Sequence, residues 1–273
     1  MATTKLLSPT AEFGSQLLDT LDLDPVYVAL TRASLGRRRL ANILVAYWCL
    51  YSLGSACRVA ASKNYWATLR EAAANTDRSW ARGSERRHWR GKAAITCADY
   101  LANTFSTAED VIKFVSHFSS FQSVSELTRT IPSFGPWIAF KVADMLERVW
   151  GMPVDFSNCE LGFYEEPRKG AALYMTGNPE APILPAGVAE AAELLLSELG
   201  NRKAPPRNDR RINIQEAETI FCKHKSFAKG HYWVGKDIRE INHSLNEAYE
   251  KYGCNLAMAV LLCMPKELVC PKS

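Results

Sequence analysis

One aspartate, Asp155, follows a turn between two predicted helices. The segment Ile131-Pro132-Ser133-Phe134-Gly135-Pro136-Trp137 separates two helical patterns, and Asp155 lies 24 residues after its first residue. The first proline ends a helix, Gly135 gives the turn backbone freedom, and Pro136 suits the first position of the next helix. A carboxylate placed near such a turn can act as a general base or stabilise a cation. Asp155 is a candidate for such a role.

The same turn predicts a phosphate site. The first N–H groups of a helix have no partner within the helix, and they attract anions. The backbone contacts are expected at Ser133, Phe134, Gly135 and Trp137. The competing interpretation is an ordinary turn between two helices, with Asp155 incidental.

A second stretch has the composition of an anion site. Residues 78–92 carry six Lys or Arg and one His against a single Glu, interleaved with two glycines and two tryptophans. Arginine forks bind phosphate oxygens, glycines admit a close anion, and tryptophans can stack on a base. The candidates for binding a phosphate or pyrophosphate are Arg82, Arg86, Arg87, His88 and Arg90. The alternative is a solvated or structural loop.

The elements that must position these residues are mostly α-helices, because strand signals are few. A helix is predicted over residues 124–130, with Ser123 and Glu126 as its capping box. The helix after Pro136 should bury one apolar face and turn Lys141, Asp144 and Arg148 away from it. Further helices are predicted on both sides of the turn at 24–25 and as one buried helix over 40–61, in which Gly54 and Ser55 should allow a close backbone approach. Others are predicted over 108–118 with Thr107 and Asp110 as capping box, over 186–199, over 214–227 with Asn213 as cap, over 237–252 with Asp237 as cap, and over 255–264. Residues 156–185 read as loop-rich.

Composition fits a globular protein. The chain has 273 residues, of which 47% are hydrophobic and 23% charged, with a net charge of +4. No apolar run approaches the ~18 residues of a membrane-spanning helix. The eight cysteines include no C-x-x-C pair and are expected to be reduced thiols, and no metal-ligand cluster is evident, so no protein metal site is predicted.

The predicted organisation is one helical unit, 1–273, or two intimate lobes. A core over 36–155 holds the basic loop (78–92) and the hairpin helices (124–150). A loop-rich insertion plus a helix follows over 156–212. Additional C-terminal helices complete the chain over 213–273.

The hairpin and its aspartate resemble the helix-hairpin-helix DNA glycosylase superfamily, in which a hairpin of the type L-P-G-V-G precedes a catalytic V-D. Here Ile131-Pro132-x-Phe134-Gly135 precedes Val154-Asp155. Lyase-type members carry a hairpin lysine where this chain has Trp137, so Schiff-base strand cleavage is not expected. The four-cysteine iron–sulfur loop of one branch is also missing.

Three blocks together resemble a narrower bacteriophage family, the amino acid:DNA transferases, also called α-glutamyl/putrescinyl thymine pyrophosphorylases (clade 2). The blocks are Trp80–Gly91, Ile131–Lys141 with Pro153–Phe156, and Asn213–Thr219 with Gly235–Asp237. The basic block is the most discriminating of the three.

The resemblance implies a step in DNA hypermodification. A 5-hydroxymethyluracil in double-stranded DNA, activated as its pyrophosphate ester, would exchange pyrophosphate for the amine of a free amino acid, glycine in some members. The base would be extruded from the duplex, with Asp155 as general base. Candidates to bind the amino acid's carboxylate are Lys141, Arg168 and Lys236, each of which could equally be a surface charge. No protein-bound cofactor is implied, although Mg²⁺ could accompany the pyrophosphate. The expected location is the cytoplasm of the infected bacterial host, with no membrane partner.

Two alternatives remain open. A monofunctional DNA glycosylase would use the same hairpin and Asp155, but excising a neutral base makes no such demand for a basic loop. A non-catalytic DNA-binding module would alter no nucleoside.

Overall fold

The computed structural model describes residues 7–77 and 79–267, and these are mostly helical. The α-helices are α1 (Pro9–Thr20), α2 (Pro25–Arg32), α3 (Arg37–Leu50), α4 (Leu53–Ala61), α5 (Tyr65–Ala74), α6 (Gly91–Thr104), α7 (Ala108–Val115), α8 (Phe121–Arg129), α9 (Pro136–Met145), α10 (Glu165–Thr176), α11 (Pro185–Leu199), α12 (Ile214–Ala228), α13 (Lys236–Tyr252) and α14 (Asn255–Leu261). Short 3₁₀ turns cover Ser84–Arg86 and Leu161–Phe163, and a π-helical turn, Leu146–Trp150, continues α9. The predicted mostly α class is confirmed, while the glycosylase-like fold stays a prediction.

Strands play almost no part in the described chain. Its β pairing consists of two isolated bridges, Ser120 with Asp155 and Lys203 with Arg211. None of the helices in these residues has the length and apolarity needed to cross a bilayer.

Several helix starts follow local signals. Thr107 and Asp110 form the predicted capping box at the start of α7. Asn213 caps α12, and the Glu216 side chain completes a second capping box there. Pro136 occupies the first turn of α9, as predicted. Each signal acts within one turn of chain, which is why the sequence reveals it.

The predicted single helix over 40–61 is wrong. Tyr51 adopts a left-handed conformation (φ 49°) between α3 and α4 and ends the first of them. The expectation that Gly54 permits a close backbone approach is confirmed, because a Cβ there would lie 2.1 Å from the carbonyl oxygen of Ser244 in α13.

The loop-rich reading of 156–185 is also wrong in part, because α10 occupies twelve of these residues. Pro167 lies in the first turn of the helix, where a missing N–H costs little. Gly170 is required by packing, since a Cβ there would lie 2.3 Å from the carbonyl oxygen of Phe221 in α12.

The chain divides into two compact units. We call the unit formed by residues 26–158 and 239–264 the hairpin unit. The second unit comprises residues 1–25, 159–238 and 265–273. Of these, residues 7–25, 159–238 and 265–267 are described.

In the second unit a buried carboxylate organises the start of α13. Asp22 accepts hydrogen bonds from the Tyr232 hydroxyl, from Gly235 N (2.6 Å) and from Ile238 N (3.1 Å). Asp22 therefore caps α13 from a distant part of the chain, and the predicted capping role of Asp237 is wrong. The Asp237 carboxylate instead pairs with Lys223 Nζ at 2.6 Å.

Candidate functional site

The hairpin lies at the predicted place, but a different residue makes its turn. Ser133 takes the left-handed conformation (φ 66°), whereas Gly135 is extended with φ −86°. A Cβ on Gly135 would meet nothing within 4 Å. The prediction that Gly135 supplies the needed backbone freedom is therefore wrong. Ser133 and Gly135 are exposed at the surface, and Phe134 is buried beneath them.

The start of α8 also differs from the prediction. The helix begins at Phe121, because the Ser120 hydroxyl accepts a hydrogen bond from Ser123 N at 3.2 Å. Ser123 thus lies inside the helix, and the expected box with Glu126 does not form its start. Three additional residues bring this end of α8 against the chain that carries Asp155.

Helix α9 is buried on all sides, so its expected polar face is wrong. Lys141, Asp144 and Arg148 are each at most 4% exposed. The Tyr27 hydroxyl donates to Asp144 Oδ2 at 2.7 Å, and Lys141 Nζ lies 3.9 Å from the same oxygen. Buried charges of this kind are tolerated when they are paired and hydrogen-bonded. Lys141 therefore faces a carboxylate of its own helix, and its predicted contact with an amino-acid substrate remains untested.

Asp155 is held rigidly by its neighbours and by its backbone. Val154 and Phe156 point into the core on either side, and the Phe156 ring stacks on Phe121 at 5.2 Å. The Asp155 backbone bonds to the start of α8 in both directions, through its N–H to Ser119 O (2.7 Å) and through its carbonyl from Phe121 N (2.8 Å). This alternation leaves the Asp155 side chain exposed at a fixed position.

The electrostatics of Asp155 favour its charged form. Its Oδ1 accepts a hydrogen bond from Ser157 N at 2.9 Å. That bond holds the pKa of Asp155 below its ordinary value. The residue is consequently an ionised, solvent-facing carboxylate at neutral pH.

Helix α8 connects this carboxylate to the hairpin turn. Asp155 binds the first turn of α8, and the hairpin turn follows its last residue, Arg129. The nine residues of α8 span roughly 13 Å at 1.5 Å per residue. Helix α8 therefore links the carboxylate, which is bound at its start, to the turn that precedes the first amides of α9.

The basic loop is docked on the C-terminal end of α3. The last carbonyl groups of a helix lack partners within it. Gly83 N donates to Leu50 O at 3.0 Å, and Arg86 Nε donates to Cys49 O at 3.1 Å. Gly83 fits only because it lacks a side chain, since a Cβ there would lie 2.4 Å from Tyr51 O. The close approach expected of this glycine is thus made to a helix end of the protein.

Arg86 also reaches the hairpin. Its Nη1 donates to Ser133 O at 2.8 Å, and its guanidinium carbon lies 5.3 Å from the centre of the Phe134 ring. The side chain is only 9% exposed, and burial lowers its pKa. In this conformation Arg86 joins α3, the basic loop and the hairpin turn.

Arg82 is likewise engaged within the protein. Its guanidinium donates to backbone carbonyls of Trp89 (2.6 Å), Trp80 (2.9 Å), Asn75 (2.9 Å) and Ala72. Both tryptophans of the loop are buried, so the expectation that they stack on a base is wrong. The alternative of a structural loop therefore holds for this part of the stretch.

Three of the predicted cations are exposed. Arg87, His88 and Arg90 face solvent on the loop. Arg90 Nε donates to Arg87 O at 2.7 Å, and Arg87 Nε lies 3.1 Å from His88 Nε2. These contacts hold the three side chains together in one group, which we call the exposed cationic triad after the guanidinium charges of Arg87 and Arg90. Arg78, the first residue of the predicted stretch, lies outside the described residues.

The other two carboxylate-binding candidates belong to the second unit. Arg168 is exposed on α10 and lines a surface cavity of about 280 Å³ together with Lys169 and the segment 179–184. Lys236 Nζ donates to His231 O at 3.1 Å. Their predicted roles stay predictions, as do those of Asp155, the hairpin and the triad.

Sequence reasoning missed Tyr51 as a residue of this region. The residue lies half-buried where α3, the basic loop and α9 meet. Gly83 was the available signal, because a glycine in a basic loop can mark a tight packing contact as well as an anion site. Within the described ranges, no group of three or more His, Cys, Asp or Glu side chains is placed to hold a metal ion.

Comparison with known proteins identifies the family of this chain. Residues 18–232 match the amino acid:DNA transferase family. A glycinyltransferase of Pseudomonas phage PaMx11 is 38% identical, with 85% of this chain and 88% of that protein covered. A putrescinyltransferase of Delftia phage PhiW-14 is 30% identical, with 83% of this chain and 74% of that protein covered. The match contains the basic loop, the hairpin and Asp155, and the chain is a member of the amino acid:DNA transferase family.

Proposed function

We propose that this transferase acts on a pyrophosphorylated 5-hydroxymethyluracil in double-stranded DNA and that its amine donor is glycine. The proposal rests on three features that the hairpin unit brings together. These are the exposed cationic triad, the hairpin bound to the same loop through Arg86, and the ionised Asp155 at the other end of α8. The similarity to the phage glycinyltransferase supports the choice of glycine.

The reaction would begin with departure of pyrophosphate, which takes the electron pair of the C–O bond on the exocyclic carbon. Negative charge then grows on the leaving oxygens. Arg87 and Arg90 are exposed and already oriented by contacts within the loop, so they would stabilise that charge with little reorganisation. Loss of one donor of this kind typically lowers kcat about 100- to 1,000-fold.

The glycine amine would then donate its lone pair to the electron-poor carbon and form the C–N bond. The resulting ammonium must lose one proton, and Asp155 is the proposed acceptor. Because its pKa is lowered, Asp155 stays charged and also stabilises the cationic intermediate. Its exposure lets the proton pass on to water.

The hairpin would hold the DNA backbone while the base is extruded. The N–H groups at the start of α9 face the exposed end of the turn, where helix geometry favours a phosphate. Mg²⁺ would be bound mainly by pyrophosphate oxygens and water, because the triad supplies cations rather than oxygen ligands. We also propose that the reaction takes place on phage DNA in the cytoplasm of the infected host, which the similarity to two phage proteins supports.

The decisive experiment uses duplex DNA with one 5-pyrophosphoryloxymethyl-deoxyuridine, incubated with the protein and a mixture of amino acids. The DNA is digested and its nucleosides are identified by mass spectrometry. A glycine adduct together with pyrophosphate release is the expected result. An adduct of another amine would refute the choice of glycine, free base with an abasic site would identify a glycosylase, and an unchanged nucleoside would reject this substrate.

A salt titration separates the two roles open to the triad. Each DNA phosphate contact contributes about 0.9 to the slope of log K against log salt. If Arg87 and Arg90 bind the leaving group, their alanine variants keep the wild-type slope on unmodified duplex and lose turnover. A slope reduced by about one per variant would assign them to the DNA backbone instead.

A further inference from the structure

Three elements of the hairpin unit meet at one aromatic residue. Tyr51 ends α3, its carbonyl lies so close to Gly83 of the basic loop that a Cβ there would not fit, and its ring contacts Trp137 on α9. The Tyr51 and Trp137 ring centres are 4.9 Å apart with planes at 67°. On its other side Tyr51 packs on Tyr47 at 4.7 Å. The three rings form a continuous row of aromatic contacts, tilted between the two tyrosines and edge-on at Trp137, that leads from the core to the hairpin.

The backbone of Tyr51 is unusual for such a residue. A left-handed conformation at the end of a helix is normally taken by Gly or Asn, and a bulky side chain adopts it at a cost. Here the conformation is fixed by Tyr51 N, which donates to Tyr47 O at 2.6 Å, and by the close packing of the basic loop. Residues held in this way are concentrated at functional sites.

The row of aromatic rings ends at the surface beside the hairpin. Tyr47 is buried, whereas Tyr51 and Trp137 are both half-buried. Trp137 is the second residue of α9, next to the helix-terminal amides proposed to hold a DNA phosphate. A large aromatic side chain at that position can reach the nucleotide whose phosphate the hairpin holds.

We propose that Tyr51 and Trp137 form the stacking surface for the extruded base, an inference that rests on the proposed function. Chemistry at the exocyclic carbon of a thymine-type base requires the nucleotide to leave the duplex, and flipped bases are commonly held against aromatic side chains. The tryptophans of the basic loop are buried and cannot present a ring to the base, so we assign the stacking role to Tyr51 and Trp137. Trp137 is then a base contact rather than the backbone contact predicted from the sequence.

The test measures base extrusion directly. One duplex carries 5-pyrophosphoryloxymethyl-deoxyuridine beside 2-aminopurine, and a second carries thymine in its place. The fluorescence of 2-aminopurine rises when its stacked neighbour leaves. Without amino acid present, the wild-type protein is expected to raise the fluorescence of the first duplex only. Trp137→Ala should abolish the rise and weaken binding of that duplex about 10- to 100-fold, with binding of the thymine duplex unchanged.

Trp66→Ala is the matched control. Trp66 is also half-buried and packs edge-on against a tyrosine, Tyr65, at 4.7 Å and 71°. It lies on α5 and is expected to leave both binding and fluorescence at wild-type values. Circular dichroism checks that each variant folds. If Trp137→Ala does not fold, Trp137→Phe should keep most of the fluorescence rise and Trp137→Leu should lose it, because only the first retains a ring.

Two results would overturn the stacking surface. One is a Trp137→Ala protein that keeps the fluorescence rise, and the other is an equal loss of affinity for both duplexes, which would indicate a backbone contact. Failure of the proposed function looks different. Base extrusion by a wild-type protein that forms no amino-acid adduct would refute the transfer reaction and leave the stacking surface intact.

Discussion

Replacing Arg86 by Met distinguishes a structural arginine from a pyrophosphate ligand. The side chain donates to Cys49 O at 3.1 Å and to Ser133 O at 2.8 Å. Met retains much of the buried hydrocarbon but can make neither bond. We expect Arg86→Met to destabilise the hairpin unit and to loosen the hairpin turn.

The size of the effect follows from the surroundings of the two carbonyls. The Cys49 carbonyl is at the buried end of α3, where an unsatisfied acceptor costs about 1–3 kcal/mol. Ser133 is exposed, so water can replace the guanidinium there and the loss is about 0.5–1.5 kcal/mol. Removing a buried cation also removes its desolvation cost, the effect that lowers the pKa of Arg86. We therefore expect a net loss of about 2 kcal/mol.

Thermal unfolding and amide hydrogen exchange measure this loss. A change of about 2 kcal/mol corresponds to a fall in Tm of roughly 4–8 °C for a protein of this size. Exchange should accelerate most in the turn between α8 and α9. Arg87→Ala is the control, because Arg87 is exposed and should change Tm by less than about 1 °C.

The reasoning would be refuted by an Arg86→Met protein with wild-type Tm and exchange that has lost turnover. That result would mean that Arg86 leaves its carbonyl partners and binds the leaving group. The opposite pattern, lower stability with DNA affinity reduced in proportion to hairpin opening, is the expected one.

Three further perturbations test the framework. Asp155→Asn should fold normally and lower turnover at least about 100-fold in the nucleoside assay. In the unsubstituted protein the acid limb of kcat/KM due to Asp155 should lie at a lower pH than for an ordinary aspartate, because the hydrogen bond from Ser157 N lowers its pKa. Asp22→Ala should lower stability by about 3–5 kcal/mol in chemical denaturation, since it uncaps α13 and leaves the Tyr232 hydroxyl and two backbone N–H groups buried without their acceptor. Gly54→Ala should lower Tm markedly because its Cβ would lie 2.1 Å from a carbonyl oxygen of α13, whereas Gly36→Ala, with nothing within 4 Å, should be neutral.

The features predicted correctly from sequence are those in which cause and effect lie within one turn of chain. Pro136 at the start of α9 and the capping boxes of Thr107 and Asn213 are of this type. The expected position of the hairpin relative to Asp155 has the same origin, because it is a count along the chain. These signals sufficed for the helical class and for choosing the region of the site.

The failures have tertiary causes. Asp22 caps α13 although it lies more than two hundred residues away along the chain. The sequence near the helix start offers Asp237 as a cap, so the contact with Asp22 could not be predicted locally. Gly170 belongs to a segment whose glycines and prolines predict a loop, but in the structure it lets the backbone of α12 approach α10 closely. Ser133 rather than Gly135 takes the left-handed conformation, and its carbonyl is bound by Arg86 from another element. In each case a distant partner outweighs the intrinsic preference of the residue.

The basic loop shows how this limit affects functional inference. Its arginines look equivalent in the sequence, yet the guanidinium groups of Arg82 and Arg86 donate to backbone carbonyls inside the protein, with Arg86 Nη2 buried and unpaired. Arg87 and Arg90, in contrast, are exposed at the surface. The difference follows from position, since the two engaged arginines flank Gly83, the residue at which the loop meets the end of α3. A guanidinium is well suited to both tasks because its planar fork satisfies several oxygens at once, whether they belong to helix ends or to a phosphate. The number of arginines in such a loop therefore gives only an upper limit to the positive charge that can bind a ligand. The contacts of the loop with its own protein decide how much of that charge is available for pyrophosphate.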